Sequence, residues 1–137
     1  MHNEVYVNLP VKDLKRSMQF FSELGYTFDP RFTNEQAAGM VLGANFFAML
    51  LPEPFFATFT PKPVADATMA TEVLVALPCD SREAVNVLVA KAKSAGASTP
   101  TEPKDYGFMY QHGYTDLDGH MWEVFWMDPN VNPAQMS

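Results

Sequence analysis

The heptapeptide Glu4-Val5-Tyr6-Val7-Asn8-Leu9-Pro10 returns as Glu72-Val73-Leu74-Val75-Ala76-Leu77-Pro78, and the same kind of segment follows each copy. After the first, Asp13 offers an N-cap to an apolar stripe of Leu14, Met18 and Phe21, flanked by Phe20 and Leu24. Gly25 suits the place just past a helix end. After the second, Asp80 with Glu83 three residues on resembles a capping box. Ala84, Val85, Leu88, Val89 and Ala92 make the stripe and Gly96 closes it. A chain repeating at this period is built from two supersecondary units, neither of which buries its apolar face alone.

Three extended segments follow each helix. In the first half they run over residues 26–32, 37–42 and 46–51, with Gly43-Ala44-Asn45 as the last turn. In the second half they run over 98–103, 108–115 and 120–127. The order is therefore βαβββ twice, an α+β fold, with module one at residues 3–51, a connector at 52–68 and module two at 69–127 of a single domain 1–137. The first strand, Asn3 to Leu9, puts Val5, Val7 and Leu9 on one face and Tyr6 and Asn8 on the other, and Pro10 is expected to end it. Pro52, Pro54, Pro61 and Pro63 surround Phe55-Phe56-Ala57-Thr58-Phe59 in the connector and exclude a central strand or long helix there. Those phenylalanines plug the core, roof a pocket or meet a second subunit. The tail after Asp128 is expected to be loose.

Composition narrows the function classes. With 47% hydrophobic and 13% aromatic residues in 137, the chain folds around a core. No apolar run approaches the roughly 18 residues of a membrane span, and Met1-His2-Asn3-Glu4 lacks the basic and apolar regions of a signal peptide, so a soluble cytoplasmic protein is expected. A net charge of −7 argues against nucleic acid and anionic membrane as partners and leaves small neutral or cationic molecules. The single cysteine, Cys79, reads as a small buried apolar residue. Neither a Gly-rich phosphate loop nor a nucleophile elbow is present.

One segment carries chemistry. Leu117-Asp118-Gly119 makes a hairpin turn into Met121 to Met127, where Met121, Glu123 and Phe125 share a face opposite Trp122, Val124 and Trp126. Glu123 is the odd member of an apolar face and needs a partner, a proton or a metal. Pairing Thr115 with His120 would set His112 across from Glu123, Tyr114 across from Met121 and Tyr110 across from Phe125. A slip of one residue would exchange that set for the other face. His112 would then be an ordinary strand residue and Glu123 a structural acid.

Two βαβββ modules in this length resemble the vicinal oxygen chelate superfamily, which contains glyoxalase I, bleomycin-resistance proteins and extradiol dioxygenases. The stretch from Val7 to Ser17 resembles the family's first strand and helix start, and Asp116-Leu117-Asp118-Gly119 followed by Glu123 resembles its closing hairpin and last metal ligand. The resemblance implies a curved mixed sheet with helices outside, a concave face binding a divalent metal and a ligand, and a homodimer. Residue by residue, it puts Tyr6 at the usual first-strand ligand, Met49 near the acid of the fourth strand, and Glu72 or Leu74 at the histidine opening the second module. Glu123 matches, with Glu72, Asn8 or His112 as other donors.

Two readings follow. In the first, a glyoxalase- or dioxygenase-like lyase or oxygenase acts on a small organic molecule. A metal held by Glu123, Glu72 and His112 polarises a substrate oxygen there, with Glu123 as the catalytic acid. In the second, a binding or resistance protein holds an aromatic or cationic molecule among Tyr6, Asn8, Met49, Tyr110, His112, Tyr114 and Phe125 without turning it over. No other cofactor is expected.

Overall fold

A computed structural model describes residues 1–135, which form two compact units, one from Met1 to Ala70 and one from Thr71 onward. Met136 and Ser137, the end of the tail expected to be loose, lie outside the described residues.

The first unit runs β1 (Val5–Val11), α1 (Leu14–Glu23), β2 (Phe28–Asn34), β3 (Ala37–Gly43), β4 (Phe46–Pro52), then the short helix α2 (Glu53–Phe56) and a 3-10 turn at Ala57–Phe59. Its sheet has the order β1-β4-β3-β2, with β1 parallel to β4 and the remaining pairs antiparallel. The Asp13 carboxylate accepts from the Arg16 N–H at 3.1 Å and starts α1. Past the other end, Gly25 adopts φ +105°, a conformation that favours glycine. Leu14, Phe20, Phe21 and Leu24 are buried, as are Leu9, Val11, Ala38, Met40, Ala48 and Leu50 of the strands. Each such Leu or Phe contributes about 1.5–3 kcal/mol of burial. Pro10 does not end β1 as expected. The strand continues to Val11, and Pro10 lies opposite Leu51. β1 is the outer strand of this sheet, and an outer strand tolerates a residue with no N–H to donate.

The second unit runs β5 (Leu74–Pro78), α3 (Arg82–Ser94), β6 (Lys104–Asp105), β7 (Met109–Thr115), β8 (Met121–Met127) and a 3-10 turn at Pro133–Gln135. The order β5-β8-β7-β6, again with a parallel first pair, repeats the first sheet. Val85, Val89 and Ala92 of α3 are buried with Tyr114, Trp122 and Val124. The Tyr114 and Trp122 rings stack with centroids 6.5 Å apart. The helix is capped by Ser81, whose hydroxyl accepts from the Ala84 N–H at 3.0 Å, and not by Asp80.

The expected strand at 98–103 is reduced to one bridge, Ser98 to Thr115, followed by the two-residue β6. Ser98 pairs with Thr115, yet Lys104 pairs with Gln111. Residues 99–103 thus face the shorter stretch 112–114, and the longer side bows away from the sheet, as at a bulge.

The hairpin register also differs from the expected one. Thr115 lies opposite Met121 and not His120, so Gly113 faces Glu123, His112 faces Val124, Tyr114 faces Trp122 and Tyr110 faces Trp126. The physical reason is the Asp116 carboxylate. One oxygen accepts from the N–H groups of Asp118 (2.9 Å) and His120 (3.0 Å), and the other from Trp122 Nε1 (2.9 Å). This ties the turn to Trp122 and lengthens the loop by one residue on the β8 side.

Candidate functional site

In each unit the helix covers one face of the sheet, and the candidate residues divide by strand parity. On the first sheet Tyr6 lies beside Phe47 and Asn8 beside Met49, on the face opposite Leu9 and Val11. Tyr6 stacks on Phe47 (5.1 Å, 12°), and Phe32 meets both rings edge-on at 5.5 and 5.7 Å. Arg31 lies over Phe32 at 4.9 Å while its guanidinium bonds Asp29 at 2.7 Å, and that hydrogen bond holds the Asp29 carboxyl below its ordinary value. The Tyr6 hydroxyl donates to Glu4, which raises its pKa, so the ring stays neutral. This face is an aromatic platform beside an amide and a thioether. Phe32 and Phe47 were missed by the sequence reading, although the alternation that places Met49 on this face also places Phe47 there.

On the second sheet the parity separates residues that were expected together. Tyr110, His112 and Tyr114 share the helix side with Trp122 and Val124, and Tyr110 donates to Asn86 of α3 at 2.7 Å. They do not share a face with Glu123. The opposite face carries Gln111, Gly113 and Thr115 from β7 and Met121, Glu123 and Phe125 from β8. Glu123 is half-buried and forms no hydrogen bond or ion pair among the described residues. Its neighbours across the sheet are the two smallest available, Gly113 on β7 and Ala76 on β5, which leave a notch above the carboxylate.

A cavity of about 150 Å³ opens at this notch and reaches the gap under residues 99–103, with Glu102, Lys104, Gln111, His112, Met121 and Glu123 in its wall. Neither Glu102, in the strand expected over 98–103, nor Lys104, just beyond it, was among the expected site residues. Burial holds the His112 imidazole below its ordinary pKa, against a smaller opposing pull from Glu102. The ring is therefore neutral near pH 7.

Glu72 is committed elsewhere. Its Oε1 lies 2.7 Å from Nδ1 of His120, a residue only 3% exposed, so this pair ties the start of β5 to the hairpin. His120 is buried. Among the described residues no group of three or more His, Cys, Asp and Glu could hold a metal ion. The donors nominated from sequence explain why. Glu72 is paired with His120, His112 projects from the opposite face to Glu123, and the first sheet offers the Met49 thioether. This set does not suit a hard divalent cation.

The fold is that of solved glyoxalase-type proteins. A hypothetical protein from S. aureus is similar at 27% identity over 92% of this chain and 94% of its own, with a TM-score of 0.78. A glyoxalase-related enzyme from Fulvimarina pelagi is similar at 18% identity over 97% and 90%, with a TM-score of 0.78. A glyoxalase/bleomycin resistance protein/dioxygenase from Nocardioides is similar at 21% over 100% and 91%, with a TM-score of 0.74. Two βαβββ units, each a four-stranded mixed sheet with a helix, define this class.

Residues 4–43 match the family described as bleomycin resistance protein-like N-terminal. That match and the shared fold make the chain similar to proteins of the glyoxalase/bleomycin resistance/dioxygenase group. Comparison with curated proteins finds no match. No helix among the described residues is long and apolar enough to cross a membrane.

Proposed function

We propose that this protein binds a small organic cation on the open face of its second sheet and does not turn it over. One observation carries this reading: Glu123 is a half-buried carboxylate with no hydrogen bond or ion pair among the described residues, set in a notch between Gly113 and Ala76. A partly desolvated carboxylate gains from an opposite charge, and an ammonium group in the notch supplies it. Met121 and Phe125, in line with Glu123 on β8, give the ligand's carbon skeleton an apolar floor. Tyr6, Asn8 and Met49 act in the same sense on the first sheet, where stacked rings attract cations and flat ligands.

The competing reading is a metal-assisted lyase or oxygenase, with Glu123 as catalytic acid and as metal ligand beside Glu72 and His112. The donor geometry speaks against it, since Glu72 pairs with His120 and His112 lies on the far face from Glu123. The binding reading takes the chain as a single domain, residues 1–137, acting as a cytoplasmic homodimer. Val5, Phe46, Phe59 and Leu74 are large apolar side chains that a single chain leaves exposed, and they support association.

Titration with propylammonium tests the reading. The wild-type protein is expected to bind it and Glu123→Gln to bind about tenfold more weakly, the equivalent of about 1.4 kcal/mol, with no metal in either protein. Equal binding by both refutes the proposal. So does one equivalent of metal per chain in the wild type that disappears in the variant.

A further inference from the structure

Where residues 99–103 bow away from β7 the edge of the second sheet is open, and the gap leads to a second space. A cleft of about 310 Å³ lies against α3 and shares Thr101, Glu102 and His112 with the Glu123 cavity, adding Asn86, Lys93 and Thr99. His112 lines both spaces, and its Nδ1 is buried with no hydrogen-bond partner among the described residues. Buried polar atoms in folded proteins are almost always paired, so this atom marks a place for a bound donor or acceptor. Glu102, also without a hydrogen bond or ion pair among the described residues, stands beside it.

The chemistry of the ligand follows from the lining. A neutral imidazole can accept a hydrogen bond at Nδ1, a carboxylate only accepts, and the Thr99 and Thr101 hydroxyls do either. The gap therefore favours a group that donates. Lys93 lines the cleft, so a second positive charge on the ligand is repelled there and a neutral donor is not. We infer that the sheet-edge gap is a second subsite, in which His112 and Glu102 receive the hydroxyl groups of an amino alcohol whose ammonium end lies against Glu123. This rests on the binding reading for Glu123 and extends it from a cation to a class of cations.

Two probes of similar size separate the two claims: propylammonium, which lacks hydroxyls, and 3-amino-1,2-propanediol, which has two. The diol is expected to bind about fivefold to tenfold more tightly, as one or two added hydrogen bonds provide, and to shift the His112 ring nitrogen resonances. His112→Phe should erase the diol's margin over propylammonium. Should that variant fail to fold, the ring resonances of the wild type decide. If Glu123→Gln leaves both affinities unaltered, the charge reading fails and the subsite falls with it. If Glu123→Gln weakens both probes but the diol has no margin, the subsite alone is overturned. Ring resonances that do not move, meaning that His112 is served by water only, overturn it equally.

Discussion

Met49 holds in the first sheet the place that Glu123 holds in the second. Met49 lies between Asn8 on β1 and Gly39 on β3, and Glu123 lies between Ala76 on β5 and Gly113 on β7. Both glycines are sterically required. A Cβ on Gly39 would meet Phe32 Cβ at 2.7 Å, and one on Gly113 would meet the Trp122 carbonyl oxygen at 2.7 Å. The repeat thus preserves a glycine at the same place in each sheet while the residue beside it differs, a thioether in one and a carboxylate in the other. Two modules of one design therefore present different side-chain chemistry at equivalent places.

The glycine beside Glu123 is open to test. Gly113→Ala drives a methyl into backbone, which cannot rotate away, and should cost about 1–3 kcal/mol in urea denaturation. Because the methyl would also narrow the Glu123 notch, propylammonium binding should weaken in the folded variant. A variant as stable as wild type would show that the Trp122 carbonyl is free to move.

Asp116 gives a pH signature. Burial raises its carboxyl above the ordinary value despite the hydrogen bonds and His120 that oppose the shift. With the folded value above the unfolded one, its favourable contribution is complete below the unfolded value of about 3.9 and is lost as pH rises through the folded value. The variant Asp116→Asn has no such titration and presents its amide N–H to one of the donors that Asp116 accepts from. It should be destabilised by about 1–3 kcal/mol. The gap between wild type and variant should shrink as pH is raised from about 4 to 7, measured by denaturation across that range. A gap that widens would contradict the raised value.

The cap of α3 discriminates between neighbouring residues. Ser81→Ala removes the oxygen that accepts from Ala84 and should cost about 1 kcal/mol, whereas Asp80→Ala should stay within about 0.5 kcal/mol of wild type. Thermal or chemical denaturation of the two variants checks this. The reverse ranking would return the cap to Asp80.

Association is a prediction from the exposed Val5, Phe46, Phe59 and Leu74. Sedimentation at tens of micromolar, a range in which weak interfaces begin to dissociate, should give twice the chain mass. A monomer there would remove the dimer from the proposal.

Much of this architecture was legible in the residue order because it rests on local chemistry. Asp13 and Gly25 frame α1 by hydrogen bonding and by a positive φ, Gly96 does the same at the end of α3 with φ +110°, and the repeated strand-Pro-helix pattern announces two modules. Alternation also put Glu123 with Met121 and Phe125 and against Trp122 and Val124, because apolar parity is written in the strand itself. What the neighbouring strand contributes is not written there. Register depends on where the Asp116 carboxylate finds its three donors, one of them the indole of Trp122, and that decided for Gly113 and against His112 as the partner of Glu123. The gap at residues 99–103 likewise comes from a mismatch in length between two paired segments, visible only once both pairings that bracket it are known. Local propensity needs only neighbours in sequence. A site assembled across strands needs the tertiary contacts that set which residues face one another.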